Sequence, residues 1–530
     1  MGPDLDISIP VIKIMKRFLL SLKRFRTKAA LFLIILTHSL VNFNFLKNSR
    51  FELHGGPANW FLDSVKLHRG IISGEFIKST EGLFKGTPPP LFRIITAFSF
   101  LIFGVSLKTA IMVNMLYLAI LVYSTFLITR MLFSERAGLF AAFLVSVFPG
   151  IFAPARAFSY DLALAAVTIA SQYVLLKFGL RSLKTAFFTG LLLGTGVLTK
   201  FTFPLFVLPV FIHIVILERP KLRYIACAVI TGTLISMTWI LPYVSSKITD
   251  FINVRNIISS EVFRNNANYF QFFCRRLLFW PMTILLLTAF IYFFARKKYL
   301  LPVSILFPAL LLSFTRNREP RQILPVLPAA AVMIAGFIEQ LSHSRRIAYI
   351  SLILFASVQF ITLNYWPEKF PFSKNIPYFL NVTSTENGFY TAVDLGNWKS
   401  DEIFEAVRNI TSNMPAGGRR PVVLVISPHH SIIYPLKLRA EMNHMPLKII
   451  SPADREPQIL PDIDFMPVVT GADIVIYKTD NQGLAFHENY IEKLYGAFNK
   501  TGNLFEKKAE SGLPDGSTVY IYGRRKEKPK

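Results

Sequence analysis

Between residues 29 and 365 the chain carries eleven apolar runs, near 29–46, 108–130, 137–153, 159–177, 185–199, 201–217, 222–242, 277–295, 299–314, 322–341 and 347–365. No soluble core needs that much apolar helix in series. With hydrophobic residues at 52% and 50 phenylalanines, the bilayer is the main solvent for this sequence. The expected class is a polytopic α-helical membrane protein of about 11 spans, some of them shorter than the roughly 20 residues a perpendicular helix requires.

The formal charge of +26 would suggest a nucleic-acid partner in a soluble protein. Here the basic residues gather in short clusters between apolar runs, so topology and anionic membrane lipids account for them and no nucleic acid is expected. Residues 1–28 hold Lys13, Lys16, Arg17, Lys23, Arg24, Arg26 and Lys28 and read as a basic cytoplasmic N-terminus ahead of a retained first helix. Residues 88–104 are apolar but short, open with three prolines and include Arg93, so their reading decides the parity of everything that follows. Placed along the outer surface rather than across, they put Arg130/Arg136, Lys177/Arg181/Lys184, Arg219/Lys221/Arg223, Arg296/Lys297/Lys298 and Arg345/Arg346 all on the cytoplasmic side. The outer side then receives the loops 47–107 and 243–276, the turn before Asp161 and the whole region 366–530.

That last region changes character. Apolar runs shrink to strand length at Val422-Val423-Leu424-Val425-Ile426 and at 472–477, and helical patterns cover 401–412 and 487–499. A C-terminal soluble α/β domain is expected, with Ser400, Asp401 and Glu402 starting its first helix. His429-His430 follows a strand, but adjacent histidines point in different directions and no further ligand spacing accompanies them. Three Asn-X-Thr sequons, at Asn381, Asn409 and Asn499, are no more than a chain of this length yields by chance. The two cysteines, Cys227 and Cys274, support neither a disulfide framework nor a thiolate metal site.

Carboxylates in or beside apolar runs are costly, and each needs a reason. Asp161 follows Pro154-Ala155-Arg156-Ala157-Phe158-Ser159-Tyr160, where one run ends at the outer face and the next begins. Two roles are open to it: an acid at a helix start with Arg156 as partner, or a group that orients an acceptor or a cation beside a phosphate. The first outer loop offers Glu52 and Asp63, the latter in an amphipathic segment, Trp60 to Gly70, where a solvated face is the alternative. Arg264, Arg275, Arg276, Arg316, Arg318 and Arg321 stand in outer loops, where the positive-inside tendency predicts few basic residues. Phosphate binding and snorkelling to lipid headgroups both explain them, and Lys200 at a helix end as well. No P-loop, Ser-His-Asp order or HExxH zinc helix is present, against a nucleotide-driven pump or a membrane protease.

The order of these features resembles the GT-C glycosyltransferases. The resemblance rests on the first span, the long outer loop, Pro89-Pro90-Leu91 leading to Phe103-Gly104, and an outer-face Asp161 after the third span. Gly190-Leu191-Leu192-Leu193-Gly194-Thr195-Gly196-Val197-Leu198-Thr199-Lys200 and the segment Arg318 to Pro328 fit as well. The pattern covers residues 30–365 and is most similar to the branch of aminoarabinose transferases, protein O-mannosyltransferases and lipopolysaccharide-core glycosyltransferases. What the resemblance implies is transfer of a sugar from a polyprenyl-phosphate donor to a glycan, lipid or protein acceptor at the outer face, typically with inversion. It assigns a first-loop acid as base and Asp161 as its assistant; position and resemblance together put Arg321 and Lys200 on the phosphate, and Arg156, Arg275 and Arg276 are further candidate substrate contacts by position. Asn59 stands where these enzymes usually place the first-loop acid, and an amide cannot take a proton. Asp63, one helical turn later, or Glu52 is then the substitute base, unless the chain has kept the fold as a transporter or sensor of lipid-linked sugars. A divalent cation is compatible with the pattern, and its ligands are unknown.

Overall fold

The computed structural model describes residues 8–48, 53, 55–85, 88–245, 247–249, 269–315, 319–341, 344–365, 399–414, 420–427, 430–451, 464–479, 485–513 and 516–525. The chain forms two compact units. The first holds Met1–Lys47, Glu81–Asp250 and Asn265–Ala392, and the second Asn48–Thr80, Phe251–Arg264 and Val393–Lys530.

The first unit is helical. In chain order it contains α1 (Ser8–Asn48, whose last residue passes to the other unit), α3 (Phe76–Lys85, which straddles the boundary), α4 (Leu91–Phe103), α5 (Leu107–Leu132), α6 (Glu135–Val147) and α7 (Pro149–Phe152). It continues with α8 (Asp161–Phe178), α9 (Leu183–Thr199), α10 (Phe203–Glu218), α11 (Leu222–Ile240), α12 (Tyr269–Phe272), α13 (Trp280–Ala295), α14 (Leu300–Ser313), α15 (Leu327–Glu339) and α16 (Arg345–Tyr365). Serine caps open three of these helices by accepting a backbone N–H that the helix itself cannot satisfy: Ser106 from Thr109 at 3.0 Å, Ser134 from Ala137 at 3.1 Å, and Ser182 from Thr185 at 3.2 Å. Pro149 ends α6, because its ring nitrogen has no hydrogen to continue the ladder, and Glu135–Val147 and Pro149–Arg156 are bent by 63° at that break.

Among the described residues six segments are long and apolar enough to cross a membrane: Phe25–Asn48, α5, α8, α11, Pro320–Glu339 and α16, with a seventh if the bent pair is one span. Each of the eleven apolar runs has a helical counterpart, but α9, α10, α13 and α14 are only 17, 16, 16 and 14 residues long. Length and composition among the described residues therefore support six or seven crossings, not the full eleven. Burial sorts the spans: 83% of the Pro320–Glu339 window and 72% of the α5 window lie inside, against 22% for α11 and for α16, so the first two form the core and the last two its rim.

α9 and α11 meet through small residues. A Cβ on Gly190 would stand 2.6 Å from the Ala228 carbonyl oxygen, and one on Gly194 would stand 2.5 Å from Ile235 Cβ. Between two apolar helices in lipid, close backbone approach is the main source of attraction, and glycine at every fourth position provides it.

The second unit carries α2 (Gly55–Ile72) and the C-terminal fold: α17 (Ser400–Ser412), β1 (Val422–Ile426), α18 (His430–Met442), β2 (Lys448–Ile450), α19 (Met466–Thr470), β3 (Ile474–Lys478), α20 (Ala485–Thr501), β4 (Phe505–Gly512) and β5 (Thr518–Arg524). The sheet order is β2-β1-β3-β5-β4; β1 pairs in parallel with β2 and β3, while β5 runs antiparallel to both β3 and β4. Val423 to Ile426 are all buried, as expected of a central strand covered on both faces. Leu424, Ile426, Val475, Leu494, Phe498 and Phe505 form the core between sheet and helices. α17 starts at Ser400 as the sequence suggests, but Lys399 occupies the cap in a left-handed conformation (φ 56°) and the Ser400 hydroxyl does not cap. α2 packs on α18, and Arg69 joins them by bonding both the carboxylate and the backbone carbonyl of Glu441.

Candidate active site at the start of the Asp161 helix

The turn that delivers Asp161 is held from two sides. Asn114, buried in the first third of α5, donates from Nδ2 to the carbonyl of Ala157 at 2.6 Å. Arg156, at the end of the 3-10 turn Pro154–Arg156, donates from Nε to Asn42 Oδ1 of α1 at 2.8 Å. Its guanidinium lies between the rings of Phe45 and Phe152, 4.7 and 5.5 Å from their centroids. Phe158 packs against Phe92 of α4 at 5.1 Å. A backbone so anchored fixes where the next side chains emerge.

Asp161 is the first residue of α8, where its charge meets the positive end of the helix. Only 2% of it is exposed, so its carboxylate needs partners. Lys200 Nζ donates to Oδ1 at 2.6 Å, and the Ser159 hydroxyl donates to Oδ2. Lys200 is the residue that ends α9, in extended backbone with its own N–H bonded to the Gly196 carbonyl at 3.1 Å. Its ammonium also stands over the Tyr160 ring at 5.2 Å. Burial, with the Asp161 carboxylate beside it, pushes the Tyr160 phenol above its ordinary value, so Tyr160 stays a neutral hydrogen-bond donor across the physiological range. Arg321, on the 3-10 helix Pro320–Val326 that packs against α8, is paired with Glu319 and lies within electrostatic reach of Asp161 and Tyr160. Its side chain is 43% exposed, unlike Lys200, so Arg321 is the cation of this cluster that a ligand can meet.

Asp161, Lys200 and Arg321, chosen from the sequence separately, thus come together in one cluster. Two assignments change. The counter-ion of Asp161 is Lys200 rather than Arg156, because the Arg156 side chain turns toward α1 and is enclosed there, 1% exposed, instead of being presented to a ligand. Lys200 is correspondingly committed to a carboxylate rather than left for a phosphate. Asp63 and Asn59 both lie on α2 in the second unit, Asp63 half-buried and Asn59 exposed. Glu52, Arg264, Arg316, Arg318 and His429 lie outside the described residues, as do the side chains of Arg275 and Arg276, whose backbone forms the π turn Phe273–Leu277. Sequence reasoning passed over Ser159, Glu319, Asn42 and Asn114. The last two carried a signal, since an amide inside an apolar run must find a partner there. Among the described residues no group of three or more His, Cys, Asp or Glu is placed to hold a metal ion.

Residues 87–245, which include Asn114, Arg156, Asp161 and Lys200, match the family model of dolichyl-phosphate-mannose-protein mannosyltransferase. No curated protein sequence matches the chain. Among solved structures, ArnT from Cupriavidus metallidurans in the apo state is similar with a TM-score of 0.57 at 15% identity, covering 92% of this chain and 97% of that one. The same protein bound to undecaprenyl phosphate gives 0.56 at 14% identity with the same coverage. The oligosaccharyltransferase of Archaeoglobus fulgidus, tethered to an acceptor peptide containing an NVT sequon, gives 0.50 at 11% identity, covering 94% of this chain and 74% of that one. The whole chain thus shares the fold of ArnT, and within it residues 87–245 are similar to the mannosyltransferase model.

Proposed function

We propose that the chain transfers a sugar from a polyprenyl-phosphate carrier to a lipid, glycan or protein acceptor at the outer face of the membrane, with inversion at the sugar. The observation that carries this reading is the buried Asp161–Lys200 pair, opened toward solvent by Arg321, inside the segment that matches the mannosyltransferase model. Binding of undecaprenyl phosphate by the similar ArnT fold supports a lipid-phosphate donor. The sidedness is supported by the basic clusters: Lys177 stands at the far end of α8 from Asp161, and Arg181 beyond it bonds Glu218 at 2.7 Å, so the α8–α9 and α10–α11 turns share one basic face.

In this mechanism the donor phosphate is held by Arg321, whose planar fork suits two phosphate oxygens and whose charge stabilises the leaving group as the glycosidic bond breaks. Arg275 and Arg276 are assigned to the same phosphate. A first-loop acid, Asp63 before Glu52, removes the acceptor proton, and Asn59 contacts the substrate through its amide. Asp161 does not need to move a proton. Fixed as a carboxylate by Lys200 and Ser159, it orients the acceptor or a divalent cation beside the phosphate. Arg156 acts as a positioning residue, through the turn that carries Asp161.

Mass spectrometry of envelope glycans and glycolipids tests this directly, comparing the wild type, a deletion and Asp161→Asn. Loss of one and the same sugar unit in the deletion and in Asp161→Asn is the expected result, and the mass difference then identifies sugar and acceptor. A deletion phenotype that Asp161→Asn does not share would remove Asp161 from the chemistry and favour a transporter or sensor of lipid-linked sugars.

A further inference from the structure

The C-terminal fold contains a cavity of about 1340 Å³ between α17 and the end of the sheet where β1 and β3 begin and β5 ends. Its floor is open because residue 523 is glycine: a Cβ there would meet Lys508 Cγ at 3.3 Å and Ile410 Cγ2 at 3.4 Å. The walls mix polar side chains with Ala406, Ile410, Met414 and Pro421, and among the described residues no aromatic ring lines them. Lys508, Arg524 and Arg525 supply three cations against two acids, Asp473 and Glu506. Both acids are already engaged, Asp473 with the Val422 N–H at 2.9 Å and Glu506 with Lys508 at 2.8 Å. Each arginine is anchored by one donor, Arg524 through Nη2 to the Thr470 carbonyl at 2.7 Å and Arg525 through Nε to the Phe505 carbonyl at 3.2 Å. Anchoring of that kind holds the rest of the guanidinium fork in place for a ligand. On the opposite wall stand Asn409 of α17 and Asn413, the residue that caps its end and donates from Nδ2 to the Asn409 carbonyl at 2.9 Å.

We infer that this cavity binds an anionic oligosaccharide. Two exposed arginines, each tethered by one bond, suit a carboxylate or phosphate, the Asn409 amide suits sugar hydroxyls as donor and acceptor at once, and the volume exceeds what a lone ion occupies. The inference does not depend on the transferase reading, because it concerns a cavity built wholly within the second unit.

The test is isothermal titration of the full chain in detergent with three probes: a galacturonic acid trimer, the neutral maltotriose, and inorganic phosphate. Binding of the acidic trimer about tenfold or more tighter than either of the others is expected, and Arg524→Gln/Arg525→Gln reduces it by about tenfold or more. Because Arg524 also ties down Thr470, a second variant, Asn409→Asp, places a negative charge on the exposed helix face without touching that bond and also weakens the trimer. Maltotriose or phosphate binding as tightly as the trimer, no binding of the trimer, or indifference of the trimer to both variants overturns the inference. Asp161→Asn is expected to leave trimer binding unchanged, and a loss there would assign the binding to the other unit.

Discussion

Exchanging Lys200 for methionine removes the ammonium bonded to Asp161 while keeping an unbranched side chain of similar length. The two charges are 2.6 Å apart, with 10% and 2% of their side chains exposed. At that distance their attraction is about 6 kcal/mol for an effective dielectric constant of about 20, and much of it is offset by the cost of taking both ions out of water. Breaking the pair from one side leaves a buried, uncompensated carboxylate, so Lys200→Met is expected to cost about 3–5 kcal/mol. Asp161→Asn strands the ammonium and costs a similar amount. The double variant has no stranded charge and is expected to recover at least about 2 kcal/mol relative to the sum of the singles. Unfolding in mixed micelles, followed by tryptophan fluorescence across a denaturant series, measures all three against wild type. Single variants within about 1 kcal/mol of wild type, or a double variant equal to the sum, would refute the account of Lys200 as the counter-ion that makes Asp161 tolerable.

Asn114→Leu keeps the volume but drops the bond to the Ala157 carbonyl; a loss of about 1–2 kcal/mol is expected, together with a lower kcat at nearly unchanged KM in a lipid-linked sugar assay, and an unchanged kcat would show that the turn is held without it. Gly194→Val forces its side chain into Ile235 Cβ and the Gly232 carbonyl, so overpacking of about 1–3 kcal/mol should appear in the same denaturant series, whereas a neutral result would mean that α9 and α11 are not in backbone contact. In the second unit Glu441→Gln weakens a pair in which each partner is about one-third exposed, and its effect is expected to stay within about 1 kcal/mol by thermal melting.

The sequence made Asp161 and Lys200 legible as charges at the ends of apolar runs, yet not as a pair, because 39 positions separate them. The link lay in helix lengths. α8 and α9 have 18 and 17 residues and a short turn between them, so an antiparallel pair returns the end of α9 to the start of α8. Nothing of that kind announced Arg156, whose natural partner by proximity was Asp161; its actual bond to Asn42 depends on how α1 packs, which local pattern does not contain. In the C-terminal domain β1 and β3 were evident as continuous apolar runs. β4, Phe505-Glu506-Lys507-Lys508-Ala509-Glu510-Ser511-Gly512, was not, since an edge strand with charged outward residues lacks that signal. The short helices α9, α10, α13 and α14 show why run counting and span counting diverge: apolar character is local, while the distance a helix covers is not.

The glycine seam between α9 and α11 has a consequence for the charge at its end. Lys200 directly follows the last residue of α9, and Gly194 meets α11 backbone to backbone only six positions earlier. The height of α9 along its own axis is therefore set by a stop with no side chain to yield, and the reach of the ammonium toward Asp161 inherits that setting. Most helices can slide past a neighbour by changing rotamers; this one cannot. Drift in the sequence of the exposed rim can be absorbed, but a single added methyl at the seam would be read out as a misplaced charge beside Asp161.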